Sequence, residues 1–127
     1  MKLPAEEYRE LVRGLLAEGR PVTLRMTGQS MGGAIPDGSE VRVRPPGRQG
    51  RDEVVLYEDL DNNLICHRIV RLWRQKAQYW IQTWGDTADR PDAPVPVERV
   101  LGVVEGVKRL GMARVWWRAV RAWWRTR

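Results

Sequence analysis

Polar and apolar positions change their period along this chain, and the changes mark its elements. Across residues 4–18, Tyr8, Leu11, Val12, Leu15 and Leu16 recur at helical spacing and form one face. Pro4 suits a first turn, Glu6 and Glu7 complement the helix dipole, and Gly19 ends the segment. The period then drops to two. Residues 21–26 and 40–44 alternate as half-buried strands do, and 45–50 is a turn rich in Pro and Gly. Strands are also predicted over 53–57, 64–73, 78–84 and 100–107, with turns at 59–63 and 75–77. Residues 85–96, with their Pro-containing dipeptides, are expected to be loop. The predicted architecture is mainly β, with one helix in front and one behind.

The 127 residues suffice for one core, and 43% hydrophobic with 30% charged residues is a globular balance. Of seven Trp, four fall in the last twelve residues, which sets the C-terminus apart. Five Arg and no acidic residue follow Met112, so +5 of the net +6 sits there and the body is nearly neutral. That distribution disfavours a nucleic-acid partner, whose basic stripe would lie on the body. We therefore divide the chain into a body, residues 1–110, and a tail, residues 111–127. As a helix the tail would carry Trp116, Trp117, Val120, Trp123 and Trp124 on one face and Arg114, Arg118, Arg121 and Arg125 on the other. Such a face reads as a peripheral membrane contact or as a surface for packing and self-association. No secretory signal or membrane-spanning run is evident, so the expected location is the cytoplasm or the cytoplasmic face of the membrane.

Cys66 is the only cysteine and His67 the only histidine, so no internal disulfide, metal site or cofactor is expected. Three segments carry candidate chemistry. In the glycine-rich turn Thr27-Gly28-Gln29-Ser30-Met31-Gly32-Gly33, Ser30 can expose its hydroxyl and its N–H, as an acyl-transfer nucleophile requires. Without further support, a Ser capping a turn explains the same residues. His67 lies within an apolar strand, on the face of Ile65 and Ile69, where an imidazole is costly unless hydrogen-bonded. Alternation turns Cys66 to the opposite face, as a core residue. Asp86, Asp89 and Asp92 follow on a loop; such carboxylates are usually solvated, unless one of them orients an imidazole.

The order of these segments is more telling than any one of them. Gly28-Gln29-Ser30-Met31, then Ile35-Pro36-Asp37-Gly38, His67-Arg68-Ile69-Val70, Gly85-Asp86, Asp92-Ala93-Pro94-Val95 and Leu101-Gly102 together resemble the signal peptidase I superfamily. The resemblance runs from about Val22 to Val107 and is nearest to the branch with a histidine base, as in endoplasmic-reticulum and archaeal signal peptidases. Relatives of the bacterial and LexA-like type use lysine, and no lysine stands at that position here. The resemblance implies a signal peptidase/LexA-like β-fold and a serine endopeptidase acting on a precursor or leader peptide after a small residue. It makes Ser30 the nucleophile and His67 the general base. Both Asp92 and Asp86 fit the acidic positions; the reading leans to Asp92 on the imidazole, with Asp86 shaping the site. Gly28, Gln29 and Ser30 would form the nucleophile turn and oxyanion site, and Met31 and Ile35 would meet substrate. The chain departs from the pattern at Gly33, where Pro is usual, at Ser39, where Asp is usual, and at Gly28, where many relatives carry a hydroxyl. The last departure leaves a second reading open, a non-catalytic peptide-binding or scaffold domain on the same fold.

Overall fold

A computed structural model of the chain describes residues 5–108. The tail, with Trp116, Trp117, Trp123 and Trp124 and the second expected helix, lies outside the described residues. Helix α1, Ala5–Ala17, opens with Glu6 and Glu7 in its first turn. It ends as the sequence suggests: Gly19 turns left-handed at φ 82°, and the N–H groups of Gly19 and Arg20 close back onto the carbonyls of Leu16 and Leu15. Val12 and Leu16 are buried, and Tyr8 and Leu15 pack partly beside them. Leu11, expected on that face, is 52% exposed, because it lies at the far edge of the stripe that the other four centre.

Seven strands follow: β1 (Val22–Arg25), β2 (Glu40–Arg44), β3 (Val54–Glu58), β4 (Leu64–Gln75), β5 (Gln78–Trp84), β6 (Val95–Pro96) and β7 (Val100–Lys108). They form one antiparallel sheet in the order β1-β2-β7-β3-β4-β5-β6. The fold is thus mainly β with one N-terminal helix. One expectation needs correcting: residues 85–96 are not all loop, since Val95 and Pro96 pair with Ile81 and Trp80 at the sheet edge. A proline is tolerated there because the edge position asks for no further N–H donor.

Both faces of the sheet are covered, and β3 shows it best. Val54 and Leu56 join Val12, Leu16, Val41, Val43, Cys66 and Leu101 on one side. Val55 and Tyr57 join Ile69, Ile81, Val95 and Val103 on the other. Alternation therefore decides which of two cores a strand residue enters. Arg13 of α1 forks onto the buried Glu58 carboxylate at 2.6 and 3.0 Å, anchoring the helix to the end of β3.

Two glycines test this packing in opposite directions. A Cβ on Gly102 of β7 would stand 2.5 Å from the Arg44 carbonyl oxygen and 2.5 Å from Val43 Cγ1, so Gly102→Ala should destabilise by about 2 kcal/mol or more. Gly14 of α1 has open space around its Cα, so Gly14→Ala should stabilise by roughly 0.5–1 kcal/mol. Urea unfolding of the purified variants measures both.

Candidate active site

The Ser30 turn hangs between β1 and β2, and its shape comes from local hydrogen bonds. Gly28, at φ 107°, gives its N–H to Asp37 Oδ1 at 2.9 Å. Gly32, at φ 53°, donates to the Gln29 carbonyl at 3.0 Å. A β-carbon at Gly28 would meet nothing, so it is the backbone angle and not crowding that keeps a side chain, and hence a hydroxyl, from this position. Ser39 is buried and bonds the Pro36 carbonyl, closing the turn into β2. Met31 and Ile35 are buried at its base.

Into this turn comes the His67 imidazole from β4. Its Nε2 lies 2.8 Å from Ser30 Oγ, and its Nδ1 lies 2.5 Å from Asp92 Oδ2. Asp92 also meets Thr83 of β5, whose Oγ1 is 2.6 Å from Oδ2, and its N–H bonds the Thr83 carbonyl at 2.8 Å. Thr83 Oγ1 is in turn 2.8 Å from the Tyr57 hydroxyl. Thr83 and Tyr57 are each 2% exposed, so this polar line runs through an apolar layer.

The protons can be assigned. Burial alone would raise the Asp92 pKa, but hydrogen bonds from His67 and Thr83, the His67 charge and Tyr57 outweigh it and hold the carboxyl below its ordinary value. Asp92 is then an ionised acceptor, and Nδ1 must carry the imidazole proton. Nε2 of the neutral ring is left as acceptor for the Ser30 hydroxyl. Thr83 has one proton, which goes to the carboxylate. Tyr57, pushed up by burial and therefore protonated, is hydrogen-bonded to both Thr83 and Asp92.

Asp86 does not touch the imidazole. Its two oxygens accept from Nε and Nη2 of Arg68, at 2.9 and 2.8 Å, and Arg68 is 6% exposed. Arg68 also reaches the Asp52 carbonyl at 2.8 Å. The fork fixes the loop after β5, and that loop grips the Ser30 turn. The Thr87 N–H bonds the Ser30 carbonyl at 2.9 Å, and the Thr87 hydroxyl bonds the Gln29 carbonyl at 2.7 Å. Between them Gly85 passes so close that a Cβ would stand 2.7 Å from the Ser30 carbonyl oxygen and 2.9 Å from His67 Nε2. Asp89 is exposed on the same loop.

Sequence reasoning assigned no role to Thr83, Tyr57, Gly85, Arg68 or Thr87. Two carried a readable signal, a polar residue at an apolar parity: Thr83 two positions after Ile81, and Arg68 two after Cys66.

A pocket of about 80 Å³ opens beside Ser30 and His67, lined by Met26, Thr27, Met31, Ile35, Leu64 and Cys66 among others. A second groove of about 280 Å³ shares Met26, Thr27 and Leu64 with it and reaches Tyr8, Arg25 and Asp61. A larger cleft of about 770 Å³ lies between α1 and the start of β7 and holds none of these site residues. Cys66 faces the core, and burial pushes its thiol up to about 12, which leaves it inert. Among the described residues no group of three or more His, Cys, Asp and Glu could hold a metal ion, and no helix is long and apolar enough to cross a membrane. No family model matches this chain, and no curated protein matches it either.

The Asp92 assignment has a signature in stability. A carboxyl held below its ordinary 3.8 adds stability that is complete above about pH 3.8 and is lost as pH falls through the lower folded-state value. Thermal melts of wild type and Asp92→Asn should therefore differ most above pH 3.8 and converge below it. A difference that does not change with pH would contradict the assignment.

Proposed function

We propose that this chain is a serine endopeptidase of the signal peptidase I type, cleaving a precursor or leader peptide after a small residue. The observation that carries the reading is the continuous line from Ser30 Oγ through His67 to Asp92, at 2.8 and 2.5 Å. In it the base has its acceptor nitrogen on the hydroxyl and its N–H on a carboxylate, as nucleophile activation requires. Ser30 Oγ would attack the scissile carbonyl while His67 Nε2 takes its proton, and the imidazolium would then protonate the leaving amine. Asp92 holds the tautomer and stabilises the imidazolium. Water, deprotonated by the same nitrogen, would release the acyl group from Ser30. The Ser30 N–H, which has no protein partner among the described residues, is the first oxyanion donor.

The sheet supports an extended substrate. On one side residues 64–68 of β4 pair with β3; on the other, pairing to β5 begins only at Arg68. The open edge beside Leu64, Ile65, Cys66 and His67 can take an extended peptide as an added strand. The pocket beside Ser30 is far smaller than the roughly 300 Å³ at which small-molecule sites begin, and it suits a small side chain. A non-catalytic peptide-binding domain is the second reading. It is favoured by Gly28, which brings no hydroxyl and whose N–H is taken by Asp37.

A fluorophosphonate probe separates the two. Ser30 of the wild-type chain should be acylated, with labelling and peptide cleavage lost on Ser30→Ala and reduced on the order of 1,000-fold or more on His67→Ala. Gly85→Ala should also abolish labelling, since its methyl would occupy the gap between Ser30 and the imidazole. A correctly folded wild-type chain that resists the probe, or a Ser30→Ala chain that still cleaves, would overturn the peptidase reading.

A further inference from the structure

β4 is twelve residues long, but β3 accompanies it only as far as Arg68. Beyond that point its partner is β5 alone, and β6 meets β5 only at Trp80 and Ile81. The stretch from Arg71 to Tyr79 is therefore a two-stranded ribbon that projects from the sheet. Its composition is unusual: no acidic residue occurs from Asn62 to Gly85, while Arg71, Arg74 and Lys76 are exposed on the ribbon. The acidic side chain that reaches it is Glu98, which accepts from Gln78.

Apolar and aromatic groups fill the rest. Trp73 and Trp80, directly paired across the strands, stack with centroids 6.5 Å apart and planes 13° from parallel. The Arg71 guanidinium lies 4.4 Å over the Trp73 ring, and that of Arg74 lies 5.6 Å from the Tyr79 ring. On the other side of the ribbon Leu72 is 38% and Tyr79 54% exposed. Trp84 continues the Trp80 side of β5 and is 38% exposed.

From this combination we infer that the ribbon docks on an anionic lipid surface. Trp and Tyr favour headgroup depth, Leu72 adds an apolar contact, and three cations that form no ion pair among the described residues answer lipid phosphate. The alternative polyanion, a single-stranded nucleic acid, needs open ring faces on which bases can stack. Here a face of Trp73 is covered by Arg71, Trp80 stacks beside it, and Arg74 stands over Tyr79. What the ribbon offers outward is partly exposed aromatic rings, an aliphatic side chain and charge. The inference does not depend on the chain being a peptidase. Because Trp84 adjoins Gly85, docking would bring the Ser30 cleft beside the lipid surface.

The test uses the full chain with Leu72→Cys carrying an environment-sensitive fluorophore; Cys66 is buried and does not compete for the label. On phosphatidylcholine vesicles containing phosphatidylglycerol, the label should brighten and shift to the blue, and the protein should sediment with the vesicles. Pure phosphatidylcholine should produce neither change. Arg71→Gln, Arg74→Gln and Lys76→Gln together should weaken sedimentation at least about tenfold. Should those substitutions perturb the ribbon, added salt on the unsubstituted chain must weaken binding in the same direction. The inference fails if the protein sediments while the label stays in water, which would place binding on another surface. It fails equally if nothing sediments, or if an oligonucleotide shifts the label and vesicles do not.

Discussion

Gly85 stands where two segments remote in sequence, the Ser30 turn and the His67 strand, come within contact of a third. Any β-carbon there would intrude on the Ser30 carbonyl and on His67 Nε2 together. The approach is held by groups on either side of the glycine. Asp86 is fixed by the Arg68 fork, and Thr87 bonds the carbonyls of Gln29 and Ser30. The Arg68–Asp86 pair, with the guanidinium buried and the carboxylate 28% exposed, adds little net stability, because solvent screens it on one side and desolvation of Arg68 offsets part of the Coulombic gain. Its value is directional. A bidentate fork sets the angle of the loop as well as its distance, and the loop sets the Ser30 turn.

The imidazole reaches this junction because of parity. On β4, His67 and Ile69 turn to the core that contains Tyr57 and Ile81, while Cys66 turns to the core under α1. Two reactive side chains thus stand next to each other in sequence and meet different environments. The thiol is taken out of water by burial and is pushed up to about 12. The imidazole finds a chain of partners in which every proton has an acceptor, from Tyr57 through Thr83 and Asp92 to Ser30. A polar line through an apolar layer is tolerable only when it is complete, since each unpaired member would carry its full desolvation cost. That completeness also limits movement, because displacing Asp92 would strand Thr83 and His67 at once.

Period and turn chemistry made α1 and most of the strands legible in the sequence, because each buries a patterned face. β6 was not legible: two residues, one of them proline, show no period, and they pair only because β5 is already in place. Leu11 misled because spacing ranks a stripe without locating its edge. At the site, the order Ser30, His67, Asp92 could be read along the chain, but the choice between Asp86 and Asp92 could not. Both are loop carboxylates after β5, and the difference lies in what faces them, a guanidinium in one case and an imidazole in the other. Gly85, Thr83 and Tyr57 matter through contacts across the sheet, which local pattern does not encode.

The turn before Ser30 bears on the proposed activity. Gly28 adopts φ 107° and commits its N–H to Asp37, so the backbone is braced by a carboxylate where a side-chain hydroxyl would otherwise help. The Ser30 turn is thus braced, with no hydroxyl at position 28. Losing one oxyanion donor typically slows acyl transfer on the order of 100- to 1,000-fold. If the proposed peptidase works through this site, its rate must therefore come from holding the scissile bond well, through an added strand on the β4 edge and a small residue in the pocket. Binding energy realised along the groove can offset a sparse oxyanion site only for a peptide that fills it, so the same geometry that limits speed favours a narrow choice of substrate.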